Sequence, residues 1–174
     1  MNKIEVSEKT MEVHFGAGVA FKDIMAEVHS AGFGLVNLPS WPHMNVAGSI
    51  STGTHGSGHE LPIHAEDVTQ MEIVTPKGEV LHLTKGKTPN FLSYLLNFGG
   101  IGVITSMSMR IIPTYNIRKS IYKDLKWDTL FSNYDAVMES SYNIALFVDY
   151  KKRTMRQIWR GIRYGPDEEP PEHQ

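Results

Sequence analysis

Cysteine is absent from the chain. Disulfides, a thiolate nucleophile and zinc sites with cysteine ligands are therefore excluded. This absence alone leaves the compartment open; the cytoplasm is the expected one. Long apolar runs are lacking too. None approaches the roughly 18 residues of a membrane-spanning helix, so no transmembrane segment is expected. The opening MNKIEVSEKTMEVHFG holds no apolar core of a signal peptide. It reads as if already inside a strand, and the chain is expected to be a fragment. An excess of charge is also missing: 17 basic and 19 acidic residues leave a net charge of −2. That removes the whole-molecule electrostatic case for nucleic acid or an anionic membrane. What remains is ordinary, with 41% hydrophobic and 21% charged residues over 174 positions. Such a chain suits one domain, or a domain plus part of another.

The most informative stretch is Asn37–Gly58, NLPSWPHMNVAGSISTGTHGSG, which holds Gly48, Gly53, Gly56 and Gly58 of the chain's 15 glycines. Glycine adds chain entropy and offers nothing to pack, so neither a packed helix nor a central strand is expected here. The run reads as a long ordered loop whose backbone N–H groups and Ser/Thr hydroxyls approach an anion, most often a phosphate. A flexible linker is the bland alternative. Leu38, Trp41, Met44, Val46 and Ile50 speak against it, because a linker needs no apolar anchors.

Around this loop the pattern is mixed α+β, with no βαβα alternation and no internal repeat. Residues 3–8 and 11–15 read as strands. Phe21, Ile24, Met25 and Val28 fall at i, i+3, i+4 and i+7, which predicts a helix over 20–31 ended by Gly32 and Gly34. Leu35–Leu38 is expected to be a strand. Residues 68–75 and 79–84 form an expected hairpin around Pro76-Lys77-Gly78. A short helix is expected over 89–98. A strand over 103–112 is expected to carry Val103, Thr105, Met107, Met109 and Ile111 on one face. Further strands are expected over 118–125, 143–150 and 155–163, with a single helix over 127–140. The aromatics Phe91, Tyr94, Trp127, Phe131 and Tyr134 are expected in cores. The Pro- and acid-rich end, 164–174, is expected to be disordered.

His43, His55, His59 and His64 invite a metal reading, but their spacings of 12, 4 and 5 match no standard zinc motif. GTHGSG is also similar to the catalytic-histidine segment of subtilisin-like proteases, which leaves a hydrolase using His55 as a minor alternative. That chemistry needs a nucleophile in its own setting, and no Gly-x-Ser-x-Gly is present. No Gly-Lys-Ser/Thr closes the loop as in a phosphate-binding P-loop, and no Gly-x-Gly-x-x-Gly lies between strand and helix.

Four segments in order carry a family resemblance: EVHFGAG…FKDIMAEVHSAGFGLVNLPS, HMNVAGSISTGTHGSG, DVTQMEIVTPKGEVLHLT and FGGIGVITSMSMRIIP. They resemble the PCMH-type FAD-binding domain of the vanillyl-alcohol-oxidase superfamily. Within it they are most similar to the xylitol or alditol oxidases and the gulonolactone and arabinonolactone oxidases. The resemblance implies the second subdomain of the FAD domain over 1–115 and the beginning of an α+β substrate-binding cap over 116–163. It implies FAD as cofactor, oxidation of a CH–OH group of a polyol or aldonolactone, and oxygen or another acceptor. Ser40 would face the flavin and the substrate, and Asn45 would lie along the cofactor. Gly48, Ser49, Ile50 and Ser51 would bind the pyrophosphate and ribityl region, supported by Thr54, His55 and Gly56. Val103 would reach the adenine or ribose end through its backbone. The first FAD subdomain is expected before residue 4 and the catalytic residues of the cap beyond residue 163. No catalytic residue is therefore assigned, and these residues alone are expected not to turn over a polyol. A non-catalytic flavin-binding module is the other reading left open.

Overall fold

The computed structural model describes residues 3–170. The chain divides into two compact units. The first runs to Gly56 and resumes over Pro62–Thr114; the second takes Ser57–Leu61 and the chain from Tyr115 onward. Residues 171–174, the end of the tail expected to be disordered, lie outside the described residues.

In the first unit the strands are β1 (Ile4–Ser7), β2 (Glu12–Gly16), β3 (Phe33–Leu35), β4 (Val68–Val74), β5 (Val80–Thr84) and β6 (Val103–Pro113). The helices are α1 (Phe21–Ser30), α2 (Val46–Ser51) and α3 (Phe91–Leu95), with a 3-10 turn at His64–Asp67. The sheet is antiparallel in the order β1-β2-β6-β4-β5, and β3 pairs with the far end of β6. Alternation explains the core: Val13 and Phe15, Met71 and Ile73, and Met107, Met109 and Ile111 all point to one buried face. Helix α1 lays Phe21, Ile24 and Val28 into the same cluster, with Met25 half-buried beside them. The β4–β5 hairpin closes at Gly78, whose φ of +81° is the left-handed conformation that such a turn requires. At the entry to β4, Asp67 is buried and accepts from Arg110 Nη2 at 2.7 Å, so a carboxylate in the interior keeps its counter-charge.

Several expectations are corrected. The strand at 35–38 lies instead at Phe33–Leu35, where Leu35 pairs with Ile111. A helix, α2, sits inside the glycine-rich run. Val103 does not share the buried face of Met107: it is 67% exposed, and Ile104 packs on the core in its place. The cause is a register shift in β6, where Glu72 pairs with Ser106 but Ile73 pairs with Ile104. Thr105 is the extra residue of this bulge, and one extra residue turns every later side chain to the opposite face.

The second unit is a three-stranded antiparallel sheet ordered β7 (Asn116–Lys126), β9 (Thr154–Tyr164), β8 (Asn143–Asp149). Its core is Leu130, Ile144, Met155 and Ile158. The single helix expected over 127–140 is two, α4 (Trp127–Ser132) and α5 (Tyr134–Glu139), broken at Asn133 with φ −132°. Asn133 Nδ2 donates to the Thr129 carbonyl at 2.9 Å, satisfying an end group of α4. The break removes Phe131 and Tyr134 from the inward face; they are 62% and 45% exposed. Phe91 and Tyr94 do contribute to the core of the first unit, as expected.

His64 is fully buried against Phe21, with ring centroids 5.0 Å apart, and neither ring nitrogen has a partner among the described residues. Burial, aided by the nearby His55, pushes its pKa down from 6.5 to about 4. The native state thus keeps His64 neutral while the unfolded chain takes up the proton. Stability from this group is complete above pH 6.5 and is lost as pH falls toward 4. The loss is expected to reach about 3 kcal/mol at most. Chemical denaturation at a series of pH values checks this, and His64→Leu should flatten the acid limb over that window. Ile24→Asp, which places an unpaired charge in the core, should cost about 3 kcal/mol or more. A change within about 0.5 kcal/mol in urea unfolding would show that Ile24 is not a core residue.

Candidate cofactor site

The glycine-rich run is built around one side chain. Asn45 Oδ1 accepts the Gly48 N–H at 2.9 Å and so caps α2. Asn45 Nδ2 donates to the Ala17 carbonyl at 2.7 Å, in the segment leading to α1. Three main-chain bonds run in parallel: Phe21 N–H to Met44 O, Lys22 N–H to Pro42 O and Val46 N–H to Val19 O. The first half of the run is thus tied to the start of α1. Val46 and Ile50, one helical turn apart, sink into the core and hold α2 down.

This local structure places the residues expected at the site. Ser40 and His55 are exposed, and His55 Nδ1 donates to the Gly56 carbonyl at 2.8 Å. Ser49, Ile50 and Ser51 are buried. Ser49 Oγ donates to Val46 O and Ser51 Oγ to Ala47 O, both within α2. These two hydroxyls are committed to the helix and are not the free short donors expected of them. Gly48 N–H is held by Asn45, and Ser49 N–H by the Asn45 carbonyl. Thr54 closes the turn after α2 through its N–H to Ser49 O. Val103 is connected less directly. The segment before it docks on the end of α2, where Phe98 N–H donates to Ser51 O at 3.2 Å.

The glycines differ in what surrounds them. A Cβ at Gly48 would meet only Asn45 Oδ1, at 3.5 Å, so the outward edge of α2 is open to close approach. A Cβ at Gly56 would overlap Asn37 Oδ1 and stand 2.5 Å from the Leu38 carbonyl. Gly56 is therefore needed for packing against buried Asn37, which also donates to Pro62 O at 3.1 Å. Sequence reasoning passed over Asn37, for a lone Asn before Leu-Pro carries no distinguishing signal. The signal for α2 was present: Asn45, then Val46 and Ile50 at i and i+4, is a capped helix start. Trp41 and Phe98 are 64% and 78% exposed, an unusual state for large aromatics in an ordered region. From Asn37 to Gly58 the run has no Asp, Glu, Lys or Arg.

Residues 1–84 match the family described as the FAD binding domain. Alditol oxidase of a Streptomyces species is 30% identical over 97% of this chain and 39% of its own length. D-Arabinono-1,4-lactone oxidase of Candida glabrata is 31% identical over 94% of this chain and 32% of its own. The enzyme of that name from Saccharomyces cerevisiae is 29% identical over 92% and 31%. Cholesterol oxidase from B. sterolicum shares the fold: TM-score 0.79 at 19% identity, over 93% of this chain and 34% of its own. The chain spans less than two fifths of the length of these curated relatives. The resemblance carried by the four ordered segments is borne out. Residues 1–84 are similar to the FAD binding domain, and the cofactor that this match supports is FAD.

Two glycine substitutions separate access from packing. Gly48→Val is expected to leave unfolding stability within about 1 kcal/mol, the helix-propensity range. It should nevertheless remove FAD binding in the full-length protein, because a branched side chain fills the open edge. Gly56→Ala is expected to lower the urea midpoint of the chain itself. Unchanged flavin content in Gly48→Val would show that the cofactor does not approach this edge.

Proposed function

We propose that the full-length protein is an FAD-dependent oxidoreductase that oxidises a CH–OH group of a sugar alcohol or an aldonolactone, with oxygen as acceptor. The observation that carries this reading is the exposed edge of α2, where Gly48 leaves open space in an otherwise closely bonded run. The names of the relatives, alditol oxidase and D-arabinono-1,4-lactone oxidase, support the substrate class and the acceptor.

FAD, when bound, supplies a hydride acceptor for a carbon bearing a hydroxyl. The residues of this chain bind and orient. In this reading Gly48 gives close approach at the cofactor, and Asn45 fixes the position of that edge. Ser49, Ile50 and Ser51 underlie it, holding α2 rigid from the core side. Thr54, His55 and Gly56 shape the exit of the loop. Ser40 presents its hydroxyl on the flavin and substrate side, and the Val103 backbone serves the adenine or ribose end. A run without charged side chains meets the pyrophosphate with dipoles, which require no ion pair to be stripped of water. The second unit is the beginning of the substrate-binding cap, and no residue of this chain is assigned to proton transfer.

Anaerobic addition of xylitol, a gulonolactone or an arabinonolactone to the full-length protein is expected to bleach the flavin absorbance, and admitted oxygen to restore it. A flavin that dithionite reduces but none of these substrates bleaches would overturn the proposal. That outcome would favour a non-catalytic flavin-binding module.

A further inference from the structure

One end of the second unit carries side chains that the cofactor site does not use. There the turn between β8 and β9, residues 150–153, meets the start of α4, and Trp127 N–H donates to Arg153 O at 3.1 Å. Trp127 and Phe131 lie one helical turn apart on α4 and meet edge to face, with ring centroids 6.0 Å apart. Tyr150 meets the same Trp127 ring at 90° and 5.9 Å. Phe131 and Tyr150 are 62% and 76% exposed.

Cations accompany these rings. Lys151, Lys152 and Arg153 follow Tyr150 in the turn, and Lys126 joins them because it pairs across the sheet with Thr154. All four are exposed, and the Arg153 guanidinium lies 5.4 Å from the Trp127 ring centroid. Among the described residues none of the four is in an ion pair. Asp149 Oδ1 accepts the N–H groups of Lys151 and Lys152 at 3.1 and 3.0 Å, so this carboxylate shapes the turn while the lysine side chains stay available. Asp128, in the first turn of α4, is the other carboxylate of this end. The whole-chain charge of −2 does not describe it, because a surface potential is set within about 8 Å, the screening length at physiological ionic strength. A merely solvated turn requires charge, but it does not require an exposed phenylalanine and tyrosine beside it.

We propose that this end of the second unit is a docking surface for an anionic phospholipid bilayer: Phe131 and Tyr150 enter the headgroup region, and the four cations lie against lipid phosphates. Aromatic rings are favoured at headgroup level, and basic side chains beside them add attraction to an anionic leaflet. Charge selects this occupant over a second copy of the chain, which would bring like charges together. The geometry selects it over a nucleic acid. Bases need open ring faces to stack on, whereas these rings are turned edge to face and Arg153 lies over Trp127. The contact is peripheral and uses one surface. It is independent of the reading of Asn37–Gly58 as a cofactor run.

The test uses the full-length, flavin-loaded protein as wild type, as Phe131→Ser, and as the pair Lys151→Glu with Lys152→Glu. Each is floated with vesicles of phosphatidylcholine alone or of phosphatidylcholine mixed with phosphatidylglycerol, at low and at high salt. Wild type should float with the mixed vesicles and not with phosphatidylcholine alone, and high salt should release it. The glutamate pair should lower the ratio of bound to free protein by about tenfold or more, and Phe131→Ser by about fivefold. Flavin content and melting temperature should stay at wild-type values in both, since the altered side chains are exposed. A wild type that stays with neither vesicle would overturn the proposal. Flotation that survives the glutamate pair would overturn it by placing the membrane affinity elsewhere. Binding to a single-stranded oligonucleotide, lost in the glutamate pair and without vesicle binding, would overturn it in favour of a nucleic-acid partner.

Discussion

The first unit depends on the three hydrogen bonds of the Asn45 side chain. Its carbonyl caps α2 through Gly48, and its amide holds the carbonyls of Ala17 and Val19 at 2.7 and 3.4 Å. One residue thereby joins two segments distant in sequence, the approach to α1 and the start of α2. No aliphatic side chain can do this, because both a donor and an acceptor are required at opposite ends of a short planar group. Aspartate would retain the cap but turn an acceptor toward two carbonyl oxygens. With α2 fixed, Val46 and Ile50 find their places in the core, and Gly48 is left on the outside.

This arrangement resolves a conflict inherent in a glycine-rich binding loop. Glycine lets a ligand approach, yet it weakens the structure that must hold the loop still. Here the two demands fall on different glycines. Gly48 faces open space, whereas Gly56 and Gly58 are packed against the Asn37–Leu38 segment and the Tyr142 carbonyl respectively. Val46 and Ile50, sunk in the core, supply the rigidity. Ser49 and Ser51 satisfy carbonyls within a short buried helix, where an unpaired hydroxyl would carry a desolvation cost.

The second unit follows a different logic. Its three strands supply a small core of Leu130, Ile144, Met155 and Ile158, and several of its aromatics meet one another near the surface. Trp127 meets Phe131 and Tyr150 edge to face, while Phe147 is tilted on Trp159, over which Lys119 also lies. Such contacts order exposed rings without burying them fully, which suits a unit with few fully buried side chains.

The α+β class, helix α1, the β4–β5 hairpin and the long strand β6 were legible in the sequence. Each rests on local rules: 3.6-residue periodicity, a glycine turn, alternation. The residue types of the glycine-rich run pointed to an anion, and the order of four segments around it carried the family resemblance that implied FAD. Tertiary structure alone decided the rest. Helix α2 has a local start signal at Asn45, but its place is set by the Asn45 amide, which reaches carbonyls some 26 to 28 positions away that no window around Val46–Ser51 contains. Val103 is exposed because of a bulge at Thr105, which exists only in pairing with β4. Phe131 and Tyr134 lie outside because the chain turns at Asn133, and Ser49 and Ser51 point inward because α2 does. Local propensity selects an element where one state is clearly preferred. Where two states are close in energy, a few long-range hydrogen bonds and one register choice determine which face of the chain is buried.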